Sequence, residues 1–195
     1  MAGGQASRFG GKPKGLEKVG GERIADRALR ALQAAVGEPP VVVANAPEAA
    51  EWFPGHKIIP DAIPECGALG GLFTAVIHDA SPVLVLAWDM PFVTVELLAA
   101  LRERANAYDV FLPEADNRQG FEPMCAVYGQ ACARPIKTML DDEDYRATGF
   151  HEHVKVGIMS KADQEAFGDI DKMFFNVNTP ADLKKAEDLW RRERG

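Results

Sequence analysis

The run PVLVLAW at residues 82–88, closed by Asp89, Met90 and Pro91, decides the fold. Its residues are apolar without alternation, the signature of a strand buried on both faces, as in a parallel sheet covered by helices. Pro91 ends the strand, and Thr94 fits the N-cap of a helix from Val95 to about Ala107. Working outward, Val41–Val43 and Ile58–Ile59 read as short buried strands. Asp109–Leu112, Met124–Tyr128 and Met173–Val177 read as further strands. Helices alternate with them. Ile24, Ala28, Leu29, Leu32 and Val36 recur at helical spacing before Gly37, and Ala68–His78 and about Ala131–Leu140 follow. Thr179, Pro180 and Asp182 open a terminal helix with Leu183, Ala186, Leu189 and Trp190 on one face. The expectation is one α/β domain over residues 1–195, a mostly parallel sheet flanked by helices.

Composition narrows the class. The 195 residues carry 29 acidic and 22 basic side chains, a formal charge of -7, which argues against a nucleic-acid partner. No apolar run approaches the roughly 18 residues of a membrane span, and no leader pattern opens the chain, so the reading is cytoplasmic. Cys66, Cys125 and Cys132 form no Cys-x-x-Cys pair and read as buried thiols. His151 and His153 have no third ligand near them in sequence, and His56 and His78 read as surface residues.

In open parallel sheets, ligands sit at the carboxyl ends of strands. The polar residues that close the apolar runs are Asn45, Asp61, Asp89 and Asn178. The opening segment places Gly3, Gly4, Gly10 and Gly11 around Arg8, with Lys12 and Lys14 following, ahead of the first helix. Such glycines let backbone N–H groups converge on an anion, while Arg8 and Lys14 neutralise phosphate oxygens. The spacing is neither that of a P-loop nor that of a dinucleotide-binding loop. Asp89 offers a hard oxygen suited to Mg²⁺ bridging nucleotide phosphates. Each element has a plainer reading: a flexible glycine-rich terminus, a turn aspartate, strand-end turn residues.

Taken together the motifs resemble the molybdenum cofactor guanylyltransferases, the MobA-like branch of the nucleotidyltransferases. Met1, Ala2, Gly3 and Gly4, then Arg8, Phe9, Gly10 and Lys14, follow the family's opening loop. Gly67, Ala68, Leu69, Gly70 and Gly71 follow its second glycine loop, and Asp89, Met90 and Pro91 its metal motif. Asn176 through Leu183 match its Asn-Val-Asn-Thr-Pro motif without mismatch. The resemblance implies a single-domain Rossmann-like nucleotidyltransferase fold and Mg²⁺-dependent transfer of GMP from GTP to molybdenum-loaded molybdopterin, releasing pyrophosphate. It assigns Arg8, Lys14 and Asp89 to catalysis, with Asp89 as metal ligand. It assigns Ala2, Gly3, Gly4, Lys14, Asn45, Asp61, Gly67, Leu69 and Asp89 to the nucleotide, and Asn176 and Asn178 to the acceptor. Gly3, where cytidylyl relatives carry Ala, selects guanine. The implied partners are GTP, molybdopterin, and the proteins that deliver molybdopterin or mature molybdoenzymes, with the oligomeric state left open.

The chain departs from the family at Ala68 for Pro, at Phe9 for Met, and at Trp88, where a small residue precedes the metal aspartate. It also begins at the loop itself, so the family's first strand is expected to be missing or truncated, or supplied from elsewhere. The alternatives are a relative using another base or acceptor, cytidylyl or sugar-phosphate, and a catalytically weak GTP-binding regulatory protein.

Overall fold

The computed structural model describes residues 1–2 and 13–193. Along the chain, an antiparallel hairpin β1 (Lys18–Val19) and β2 (Glu22–Arg23) leads into α1 (Ile24–Val36), followed by β3 (Val42–Val43), α2 (Ala49–Trp52) and β4 (Ile58–Ile59). Next come α3 (Gly67–His78), β5 (Val83–Leu86), α4 (Val95–Glu103), β6 (Val110–Pro113), β7 (Cys125–Tyr128) and α5 (Ala133–Asp141). The last elements are β8 (Val156–Met159), α6 (Lys161–Gln164), α7 (Ile170–Met173) and α8 (Pro180–Arg192).

Local chemistry explains the strongest helices. In α1, Ile24, Ala25, Ala28 and Ala31 are buried along one stripe. The helix stops at Gly37, which adopts φ 87° and donates its N–H to the Gln33 carbonyl at 2.8 Å. Helix α8 starts as its sequence dictates: the Thr179 side chain accepts from the Asp182 N–H at 3.2 Å, and Pro180 stands in the first turn. Ala186 is fully buried, and Leu183 and Trp190 pack beside it against Val19, Ile24 and Val177.

The main sheet has the strand order β5, β7, β6, β8. β6 and β8 are parallel, whereas β7 runs antiparallel to both β5 and β6. β3 and β4 form a separate parallel pair, with Val42 opposite Ile58. Met1 and Ala2 bridge β3 to β5. The Met1 amino group donates to Leu86 O at 2.6 Å, the Trp88 N–H to Met1 O at 3.1 Å, and the Ala2 N–H to Val43 O at 2.9 Å. These two residues thus hold the row that the resemblance gives to a first strand. Beside them, between β3 and β5, runs a groove of about 440 Å³ lined by Val41, Val43, Val83 and Leu84 among others.

Helices cover both sides of the sheet. One core layer joins α3 and α5 to the sheet through Leu69, Leu72, Val76, Tyr128 and Ile136, and a second joins α1 and α4 through Ala28, Leu97, Leu98 and Leu101. Cys66, Cys125 and Cys132 are buried free thiols. Among the described residues, no helix is long and apolar enough to cross a membrane.

One expectation needs correction, and one strand goes unassigned in the sequence reading. Met173–Val177 is not a strand: Met173 ends α7, and residues 174–177 run in irregular backbone. The Asn176 side chain donates to its neighbour Phe174 O at 3.0 Å, a local bond that competes with a ladder. Phe174 and Phe175 then pack into different core clusters. The strand that joins β6 is instead Val156–Met159, which the sequence reading leaves unassigned because Gly157 interrupts the apolar pattern. That glycine is required by crowding, since a Cβ there would sit 2.6 Å from the Tyr108 ring and 2.7 Å from Phe111.

Candidate active site

The ends of β3, β4 and β5 open on one cleft of about 730 Å³, lined by Lys14, Asn45, Asp61, Gly67, Asp89, Asn176 and Asn178 among others. Six side chains singled out from sequence positions spread over the whole chain therefore converge on a single cavity. Gly3, Gly4, Arg8 and Lys12 lie outside the described residues. Ala2 is buried, with its N–H committed to Val43. Leu69 is fully buried in the α3–α5 core layer, so its side chain packs rather than lines the cleft.

At one end Lys14 gathers the charged groups. Its ammonium forms an ion pair with Asp89 Oδ2 and donates to Asn178 Oδ1 at 2.7 Å. Asp89 is only 7% exposed, and its second oxygen, Oδ1, is buried without a hydrogen-bond partner among the described residues. A buried carboxylate oxygen left unpaired is costly unless a ligand completes it. The backbone is fixed on both sides: the Val177 N–H donates to Asp89 O at 2.9 Å, and the Asn178 N–H to Asp182 Oδ2 at 3.2 Å. The cap of α8 therefore anchors Asn178, and through it Lys14.

Trp88 explains how this end tolerates a large residue before Asp89. It is 8% exposed and stacks near Trp52, with ring centroids 6.4 Å apart and planes at 26°. Gly15 makes the room, because a Cβ there would lie 2.4 Å from Trp88 Cε3.

At the other end, Asn45 and Asp61 close β3 and β4 with a reciprocal pair. Asn45 Nδ2 donates to Asp61 Oδ2 at 2.8 Å, and the Asp61 N–H donates to Asn45 Oδ1 at 2.8 Å. The loop after Asp61 folds back onto α3, where a Cβ at Gly70 would sit 2.9 Å from Cys66 Cβ and 3.0 Å from Ile63 O. The Ala62 N–H donates to Thr74 Oγ1, which in turn donates to Gly70 O, both at 2.8 Å.

The sequence reading misses Glu122. This residue is 7% exposed and accepts from the Met124 N–H at 3.1 Å. Burial, assisted by the neighbouring Asp89 charge, pushes its carboxyl up to about 7, against the opposing hydrogen bonds from Met124 and Asn176. The available signal was a carboxylate directly before an apolar strand. A search for strand carboxyl ends passes over it, because β7 is antiparallel and brings its amino end to the same edge, Cys125 opposite Leu86.

Among the described residues no cluster of three or more His, Cys, Asp or Glu could hold a metal. Mg²⁺ does not need such a cluster, since it binds through one or two carboxylates together with substrate phosphates and water. The orphaned Asp89 oxygen fits that habit. His151 is not part of the site: it packs edge-on against Phe150, and burial holds it down at about 4.

A helix-flanked sheet whose strands β3, β4 and β5 end on a cleft holding a lysine, a buried aspartate and three asparagines is the architecture of the nucleotidyltransferases. The sequence model of the MobA-like NTP transferase domain matches residues 1–155, and the chain belongs to that family. It is 35% identical over 187 residues to a probable molybdenum cofactor guanylyltransferase of Pelotomaculum thermopropionicum, covering 95% of this chain and 89% of that protein. A probable molybdenum cofactor guanylyltransferase of Natranaerobius thermophilus is 28% identical, with 95% and 92% covered. Among solved structures, molybdopterin-guanine dinucleotide biosynthesis protein A of Archaeoglobus fulgidus superposes with a TM-score of 0.83 at 25% identity, over 98% of this chain and 96% of that one.

Proposed function

We propose that this enzyme transfers GMP from GTP to the terminal phosphate of molybdopterin, releasing pyrophosphate, with Mg²⁺ held by Asp89. The observation that carries the reading is the Lys14 ammonium fixed between Asp89 and Asn178 in the shared cleft. Family membership and the names of the relatives support the choice of base and acceptor.

A phosphate monoester oxygen of the acceptor attacks the GTP α-phosphorus. A new P–O bond forms as the bond to the bridging oxygen breaks, and pyrophosphate leaves with that electron pair. The acceptor phosphate is already anionic at pH 7, so no side chain has to deprotonate it. The task left to the protein is positioning and charge neutralisation. Lys14 supplies a positive charge against phosphate oxygens, and Asn178 and Asp89 hold Lys14 in place. Asn45 and Asp61 form the nucleoside end, and Asn176 and Asn178 the acceptor side. When bound, the divalent ion supplies further neutralisation of the phosphates.

The test is GMP transfer from GTP to molybdenum-loaded molybdopterin, assayed in the unmutated protein and in Asp89→Ala. We expect turnover in the first and its loss in the second, with circular dichroism unchanged. Wild-type turnover in Asp89→Ala would sink the metal role. Equal use of CTP would sink the guanine assignment, and tight GTP binding without transfer would favour a regulatory binding protein.

A further inference from the structure

Asp89 carries one negative charge and faces two claims on it. Its Oδ2 is held by the Lys14 ammonium, while Oδ1 is buried with no hydrogen-bond partner among the described residues. Lys14 is fixed from a second side, because its ammonium also donates to Asn178 Oδ1 at 2.7 Å. Asn178 is fixed in turn, its N–H donating to Asp182 Oδ2 at 3.2 Å beside the cap of α8. Both members of the ion pair are mostly buried. One carboxylate neutralises one ammonium, so Oδ1 offers a divalent ion a ligand atom without a spare charge. An ion there would face the Lys14 ammonium across a single carboxylate, in surroundings where like charges repel several-fold more strongly than in water.

We propose that Lys14 gates the divalent-ion site: the ammonium and the ion compete for the charge of Asp89, so the ion binds weakly until triphosphate oxygens take over Lys14. The inference rests on the proposed metal role of Asp89 and adds the reason the ion waits for the nucleotide. Asn178 supplies a neutral acceptor that retains Lys14 while its countercharge passes from Asp89 to the phosphates.

The test is Mn²⁺ binding, a stand-in for Mg²⁺ with the same preference for oxygen ligands, followed by electron paramagnetic resonance with no nucleotide present. Lys14→Met removes the charge and keeps an unbranched stem, and Lys14→Gln does the same with a polar tip. Mn²⁺ should bind both variants at least about tenfold more tightly than the unmutated protein. The gain should vanish in Lys14→Met/Asp89→Asn. Asn178→Ala leaves the ammonium on Asp89 and should show no gain. A second readout is stability. Without its partner the buried Asp89 carboxylate destabilises Lys14→Met, so Mn²⁺ should raise the Tm of that variant more than that of the unmutated protein. Equal Mn²⁺ affinity in the unmutated protein and both Lys14 variants would overturn the proposal, as would the same gain in Asn178→Ala. A gain that persists in the Asp89→Asn background would refute Asp89 as the contested ligand. None of these measurements needs turnover, so absence of guanylyl transfer with the affinity difference intact would refute only the assigned reaction.

Discussion

Replacing Gly15 by Ala tests how the large side chain at position 88 is accommodated. The added methyl would stand 2.4 Å from Trp88 Cε3, 2.5 Å from Cδ2 and 3.1 Å from Cγ. Carbon atoms rest at about 3.5–4.0 Å, so the ring has to retreat by about 1 Å. It has little freedom to do so, because Trp52 and Phe53 stand against it with centroids at 6.4 and 6.2 Å. Overpacking of this kind costs about 1–3 kcal/mol, which in a chain of this size lowers Tm by about 2–4 °C per kcal/mol. The chemistry should suffer as well, since Gly15 follows Lys14 and Trp88 precedes Asp89, and a displacement near 1 Å at a reacting centre can cost about a hundredfold in rate. Calorimetric melting and GMP-transfer kcat measure both effects. Trp88→Phe in the Gly15→Ala background, with a smaller ring, should recover at least about 1 kcal/mol of the loss as a non-additive coupling. A Gly15→Ala protein that melts within about 1 °C of the unmutated one, with unchanged kcat, would refute the reasoning.

Glu122 also makes stability depend on pH. Its carboxyl is raised from 4.5 to about 7 in the folded protein, so the unfolded chain releases this proton first and the group destabilises the fold as pH rises through that window. The full shift corresponds to about 3 kcal/mol. Denaturant titrations should therefore show Glu122→Gln gaining on the unmutated protein by about that amount between pH 4.5 and 7.5, and a pH-independent difference between the two would contradict the burial argument. Thr179→Ala removes the α8 cap bond to the Asp182 N–H and should cost about 1 kcal/mol. Because Asp182 also holds the Asn178 N–H, kcat should fall in the same variant, and a loss of stability with unchanged kcat would show that the cap does not support the site.

The sequence made the cleft legible wherever a polar residue closes an apolar run that really is a strand ending at that edge. Asn45, Asp61 and Asp89 meet that description, and they share the cleft. Gly15 was legible only as part of a glycine-rich segment, because its purpose depends on a side chain 73 positions away that no local pattern points to. The antiparallel turn of β7 hid Glu122 for a topological reason: strand direction is set by the long-range pairing of Leu86 with Cys125, not by the residues of β7. Phe174–Val177 failed in the opposite sense. Its composition suits a strand, but the side-chain bond from Asn176 to Phe174 O and the splitting of the two phenylalanines between core clusters leave no ladder to join.

These misses bear on the electrostatics of the site. With Asn45, Asp61 and Asp89 alone, the cleft looks like a conventional rim of strand-end polar groups. With Glu122 beside the lining residues Asp61, Glu65 and Asp89, four carboxyl groups lie in or beside a cleft in which Lys14 is the one cationic side chain among the described lining residues. A nucleoside triphosphate would add several negative charges to that imbalance. Desolvated like charges cost far more here than in water, so added countercharge favours binding. That imbalance gives a physical reason why the proposed divalent ion, held at the Asp89 oxygen that has no partner among the described residues, and the nucleotide should bind cooperatively rather than in either order alone.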